Sequence, residues 1–254
     1  SVGLGVMGLH SFFQQKMIPL ESVMSKVWNK KIFEHIQKDV DKTSKDLAEE
    51  RGACPDAADY GIKERFSNKT AIAPTASISI ICGGTSPGVE PIAANSFTHK
   101  TLSGSFNVRN RYLEKILEKH HKNDDETWSS ITTNQGSVSH LDFLTQQEKD
   151  VFKTAFELDQ KWIVELGADR TPHISQAQSI NIFVPADIHK KELHQIHFQA
   201  WKKGLKSLYY CRSKSIQRAE NVNDAKLTDV TANVYKSKNQ QNEEQEYEEC
   251  LSCQ

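Results

Sequence analysis

Apolar residues recur mostly three to five apart through residues 21–51, at Val23, Val27, Ile32, Ile36, Val40 and Leu47, with Pro19 ahead and Gly52 behind. That spacing predicts a long amphipathic helix with ordinary stop chemistry. Thr145-Gln146-Gln147-Glu148 has the spacing of a capping box. It opens a second predicted helix, which runs through Val151, Phe152, Ala155, Phe156, Trp162 and Ile163 to Gly167. A third is expected over 187–203, ended by Gly204, and a shorter one over 111–121 with Asn110 as its cap. Asp124-Asp125-Glu126 reads as an exposed loop.

Between these helices lie short β-type runs at 70–73, 179–184 and 206–210, flanked by Pro, Gly or Ser. Strands alternating with helices predict an α/β layout with parallel pairing. Beyond Asn221 the pattern lapses: large apolar residues are few, and five glutamates fall between Glu243 and Glu249. Such a segment cannot bury enough surface to fold alone. The expectation is a folded part over 1–220 and a flexible tail over 221–254.

Composition narrows the partners. The chain has 254 residues, 37% apolar and 26% charged, which suits a globular protein and excludes a collagen or an acidic disordered chain. Lys and Arg total 32 against 33 Asp and Glu, a net charge of -1. Neither a nucleic-acid duplex nor an anionic membrane has electrostatic reason to bind, so any bound anion must be held locally. The longest apolar stretches, at 78–82 and 180–185, fall far short of the roughly 20 residues that cross a bilayer. The amino terminus has no basic region ahead of its apolar residues and reads as the middle of a longer sequence. Five cysteines, Cys54, Cys82, Cys211, Cys250 and Cys253, are an odd and mostly dispersed set, which fits a reducing, cytoplasmic setting. Cys54 and Cys82 read as packed thiols.

Three constellations could carry chemistry. Pro74 closes a β-type run, and Thr75, Ala76, Ser77, Ile78 and Ser79 suit the first turn of a helix. Free N–H groups and the dipole could hold a phosphate there, although hydroxyl residues at a helix start also serve as simple caps. Tyr209 and Tyr210 adjoin at the end of a β-type run. In an extended strand they would point to opposite faces, one ring in the core and one outside. Stacked instead, they could pass an electron together with a proton. Cys250-Leu251-Ser252-Cys253 can form a reversible disulfide on a mobile end. Zinc would need two further ligands, and no second Cys-x-x-Cys or following His supplies them. His189, His194 and His197 are better explained as solvated helix positions than as metal ligands, so no metal site is expected.

These pieces stand in a recognisable order. SVGLGVMGL, a long helix ending AEERGACP, APTASISIICGG, SPGVEP, HKTLSGSFNVRNRYL, QAQSINIFVP, WKKGLKSLYYCR and a terminal CLSC together resemble the carboxy-terminal part of the large catalytic subunit of class I ribonucleotide reductase. The resemblance covers nearly the whole chain. It implies the carboxy-terminal part of a ten-stranded α/β barrel. It implies that Pro74, Thr75, Ala76, Ser77, Ile78 and Ser79 hold the phosphates of a ribonucleoside diphosphate, largely through main-chain N–H groups. By the same resemblance, Tyr210 is the outer and Tyr209 the inner member of a radical relay, and Cys250 and Cys253 are the shuttle that re-reduces the active site. No cofactor is bound directly. A metal-based radical cofactor belongs to a partner small subunit, and thioredoxin or glutaredoxin is the reductant.

The resemblance is also incomplete. None of Cys54, Cys82 or Cys211 stands in the family's motif for the radical cysteine or the reducing pair, and the effector-binding regions have no counterpart here. The expectation is therefore a split subunit that needs a separate amino-terminal fragment. An unfinished sheet edge and apolar surface should be left for that fragment to cover. The alternatives are a non-catalytic nucleotide-binding or assembly fragment with a reductase-like fold, and a cobalamin-dependent reductase, which would have no use for paired tyrosines. A phage source would place the protein in a host cytoplasm.

Overall fold

The computed structural model describes residues 1–101 and 104–213. The expected tail, with Cys250 and Cys253, lies outside the described residues. In chain order come α1 (Leu9–Gln15), α2 (Val23–Arg51), α3 (Pro55–Ala58), α4 (Ala76–Ile81), β1 (Ser96–Thr101) and β2 (Gly104–Arg109). Then follow α5 (Arg111–Lys119), α6 (Asp125–Thr133), α7 (Gln146–Val151), α8 (Gln160–Arg170), a 3-10 turn (Thr171–His173), β3 (Ile182–Val184), α9 (Lys190–Lys202) and β4 (Cys211–Ser213). No helix among the described residues is long and apolar enough to cross a membrane.

The parallel α/β expectation holds. Leu4 bridges Thr70, Ile72 bridges Gln178, and β3 pairs β4, each in parallel. Four extended segments thus lie side by side in chain order, and helices occupy every crossover, as parallel pairing requires. This is an arc of a barrel, and the run at 70–73 enters it only as isolated bridges. Its first segment leaves Val2 and Leu4 about half exposed, and β4 is exposed throughout. Outside the arc, β1 and β2 form an antiparallel hairpin that the β-type runs did not anticipate, pairing Ser96 with Arg109 and Thr101 with Gly104.

Three apolar clusters fix the helices. Leu158, Ile163, Val164, Ile180, Ile182 and Ile196 join α8, β3 and α9. Leu113, Leu117, Trp128, Ile131 and Phe152 join α5 and α6 to the segment after α7. Leu9, Phe13, Phe33, Ile72 and Ile174 seat α1 and α2 on the second segment of the arc. Several caps match expectation: Asn110 accepts from Tyr112 N–H, and Thr145 with Glu148 forms the complete capping box.

Three expectations fail locally. The helix opened by Thr145 stops at Val151 and a new one starts at Gln160. Between them Ala155 N–H is drawn to the distant Ile92 carbonyl, and Thr154 folds onto the Glu157 carboxylate, so the backbone cannot continue as helix. Asp124 is not loop filler but the cap of α6, where it accepts from Thr127 N–H. Finally, α2 does not bury its expected stripe: Val23 and Val27 are exposed, while Ser25, Asn29, Phe33, Ser44 and Ala48 face inward.

Candidate functional site

α4 supplies the phosphate candidate. Pro74 ends the second segment of the arc, Thr75 adopts a left-handed conformation with φ of 53°, and the helix starts at Ala76. The first-turn N–H groups of Ala76, Ser77 and Ile78 have no acceptor within the helix, as at any helix start. The hydroxyls divide unevenly. Ser79 is buried and donates to the Ala76 carbonyl, and Thr75 Oγ1 accepts from Gly88 N–H at 2.7 Å. Ser77 and Ile78 are exposed.

Behind this turn runs the segment 84–95, and close approach shapes it. Gly88 has φ of 47°, and a Cβ on it would stand 2.8 Å from the Ala73 carbonyl oxygen. Helix α1 staples the segment in place. Ser11 and Ser86 exchange N–H to Oγ hydrogen bonds at 3.1 and 2.9 Å, both buried. His10 Nδ1 accepts from Ile92 N–H at 3.1 Å, and burial pushes its imidazole down to about 3. Nδ1 is thus the unprotonated nitrogen that this bond requires. Between pH 6.5 and 3 the unfolded chain takes up a proton that folded His10 refuses. Stability should therefore fall as the pH falls through that window, by up to about 1.4 kcal/mol per unit from this group. His10→Asn keeps an acceptor but cannot titrate. Urea unfolding of the full chain from pH 6.5 to 4 should show a shallower slope in H10N by about one proton, and equal slopes would refute the assignment.

A cavity of about 470 Å³ opens between these elements, lined by Pro74, Ala76 and Ser79 on one side and by Glu90, Asn181 and Arg212 on another. Phe97 and Val108 of the hairpin form an apolar wall. Glu90 and Arg212 are the only charged groups among its described lining residues. Glu90 is buried, and that burial pushes its carboxyl up to about 7, opposed by a hydrogen bond from Asn181 and by the charge of Arg212. Asn181 Nδ2 donates to Glu90 Oε1 at 2.7 Å, while its Oδ1 accepts from Tyr210 N–H at 3.0 Å.

That second bond explains the tyrosines. The expected strand at 206–210 does not form; β4 begins at Cys211. Tyr209 N–H still reaches the Ile180 carbonyl, but the next N–H is taken by the Asn181 side chain instead of a ladder carbonyl. The regular alternation breaks, and the two rings meet with centroids 4.1 Å apart and planes tilted 49°. Both are partly exposed, Tyr209 at 46% and Tyr210 at 38%. They line a second hollow of about 480 Å³ with Trp201, Leu205 and Cys211. Strand alternation separates the two spaces: Ile182 and Cys211 face the tyrosine hollow, while Asn181, Phe183 and Arg212 face the cavity.

The remaining candidates find ordinary tasks. His189 caps α9, His194 stacks on Phe198, and His197 bonds the Leu193 carbonyl. Among the described residues no three His, Cys, Asp or Glu converge as a metal site. Cys54 is half-buried as expected of a packed thiol, but Cys82 is exposed, because α4 ends there on the surface. Glu90 and Arg212 were not anticipated. The available signals were an acid within the apolar, proline-bounded Pro87-Gly88-Val89-Glu90-Pro91, and a base two residues after the tyrosines.

Known proteins resemble this chain in sequence and fold. The family model for the ribonucleotide reductase barrel domain matches residues 1–63 and 56–211. The ribonucleoside-diphosphate reductase large subunit of Invertebrate iridescent virus 6 is 49% identical over 226 residues, covering 87% of this chain and 23% of that protein. A putative large subunit from Frog virus 3 (isolate Goorha) is 36% identical over 254 residues, covering 100% of this chain and 42% of that protein. The solved class Id ribonucleotide reductase alpha subunit of Actinobacillus ureae matches with a TM-score of 0.78 and 37% identity, covering 87% of this chain and 40% of that one. The chain spans less than half the length of each of these relatives.

Proposed function

The chain belongs to the ribonucleotide reductase barrel-domain family, and on that premise we propose that it is the carboxy-terminal part of a reductase large subunit acting on ribonucleoside diphosphates. Residues 1–220 would complete the catalytic barrel and 221–254 would carry the Cys250–Cys253 shuttle. The observation that carries the reading is the tyrosine pair. Two phenol rings 4.1 Å apart, on the surface and one strand away from a polar-lipped cavity, serve packing poorly and electron transfer well.

In this reading the diphosphate sits at the start of α4. Ala76, Ser77 and Ile78 offer main-chain N–H groups, for which the apolar side chains at two of the three positions are immaterial. Arg212 adds the cavity's one described cation. Tyr210 and then Tyr209 lose an electron coupled to a proton, handing oxidation inward to a cysteine that this chain does not supply. A small subunit would hold the metal-based radical cofactor and supply the oxidising equivalent. Beside the pair, α9 presents exposed Phe198 and Trp201, a surface suited to receive that subunit. The open edge at Val2 and Leu4 suits the amino-terminal part of the barrel, as a separate fragment in the split-subunit reading. Thioredoxin or glutaredoxin would recharge Cys250 and Cys253.

The test is reconstitution. This chain, the amino-terminal portion of a large subunit, a small subunit and a dithiol reductant should together reduce cytidine 5′-diphosphate, and omission of any one should stop turnover. Reduction by this chain with a small subunit alone would overturn the proposal.

A further inference from the structure

Glu90 has no task in the scheme above, yet it is the one buried acid facing the cavity. An acid held this way is a liability to the fold. Its unfolded form ionises from about pH 4.5, so the burial that favours the neutral form costs stability as pH rises toward 7. Groups kept against that cost are concentrated at functional sites. Among the described residues the only hydrogen bond to its carboxyl is the one from Asn181, and the same Asn181 amide holds Tyr210 by the main chain. The amide has one orientation that satisfies both: Nδ2 toward the carboxyl and Oδ1 toward the N–H.

We propose that Glu90 is a positioning residue with two tasks: its carboxyl takes up a proton when the cavity is occupied, and in either protonation form it holds Tyr210 against Tyr209 through the Asn181 amide. This rests on the functional reading above and adds a group to it. A diphosphate entering at α4 brings negative charge into a space that holds one other acid. It favours the protonated Glu90, and by reciprocity protonated Glu90 favours the diphosphate. Glu90 in either form presents Oε1 to Asn181, and so keeps Tyr210 against Tyr209 while the cavity is filled. The groups facing Glu90 are few. Arg212 of β4 lies across the cavity, and His10 of α1, behind Ile92, is neutral. Neither α4 nor the described lining positions of β1 and β2 contribute a charge.

Two variants separate these tasks from bulk structural damage. E90Q keeps an acceptor for Asn181 and removes the ionisation, whereas E90A removes both. In the assembled enzyme, the affinity for cytidine 5′-diphosphate should weaken toward tenfold per pH unit above pH 7, apart from the phosphate's own titration measured with free nucleotide. That dependence should be absent from both variants. E90A should also lower kcat at least about tenfold, and E90Q should recover most of that loss. Persistence of the pH dependence in E90Q, or equal kcat in the two variants, overturns the proposal while leaving the reductase reading intact. A wild-type assembly that reduces no nucleotide yet binds cytidine 5′-diphosphate with the Glu90-dependent pH profile overturns the reductase reading and retains the proton linkage.

Discussion

Changing Tyr209 to Phe is expected to bring nucleotide reduction by the assembled enzyme down at least about a thousandfold, a barrier increase of about 4 kcal/mol or more. The substitution is conservative in shape. Phe keeps the ring and its 4.1 Å approach to Tyr210, but it has no phenolic proton to release with the electron. Its ring is also far harder to oxidise. Because Tyr209 is 46% exposed, unfolding of the full chain should shift by less than about 1 kcal/mol. Binding of cytidine 5′-diphosphate should hold, since Tyr209 lines the hollow on the far side of β3 and β4 from the cavity. Loss of turnover with binding and stability intact is the pattern a relay predicts. Turnover that survives in both Tyr209→Phe and Tyr210→Phe would return these rings to packing and favour a non-catalytic assembly fragment.

How much of this was readable in the chain follows the range of the interactions. Local chemistry was legible: the Thr145–Glu148 capping box, the Asn110 cap, the span of α2 and the helix start after Pro74 all depend on neighbours a few residues away. Features decided by distant partners were not. Asn29 occupies the inner face of α2 because its Nδ2 donates to the Leu166 carbonyl and its Oδ1 accepts from Arg170. Hydropathy periodicity scores such positions as outward. The break between α7 and α8 depends on Ile92, and the approach of the tyrosine rings on Asn181, each remote in sequence. Even the family resemblance, which named the tyrosines and the phosphate turn, could not say that Glu90 and Tyr210 share one amide.

Gly136 shows the same logic at its steepest, and its replacement by Ala is expected to cost about 2–5 kcal/mol. Its φ of 80° is left-handed, which costs an L side chain roughly 1–2 kcal/mol by itself. An added Cβ would also stand 2.4 Å from Ala94 Cβ and 2.9 Å from Asn95 N, both parts of the cavity wall. That wall cannot retreat easily. Asn95 N–H and Nδ2 both donate to the Gly136 carbonyl, Nδ2 also reaches the Phe152 carbonyl, and Asn110 binds the Asn95 carbonyl and Oδ1. Overpacking against such a braced backbone typically adds 1–3 kcal/mol. Gly204 supplies the control. Its φ of 76° is nearly the same, but nothing lies within 4 Å of its added Cβ. Gly204→Ala should therefore show the conformational cost alone. Urea unfolding of the two variants measures the difference, and equal losses would mean that the Ala94–Asn95 wall yields. Whatever G136A remains folded should bind cytidine 5′-diphosphate more weakly, since the wall moved by the new methyl group is the one that lines the cavity.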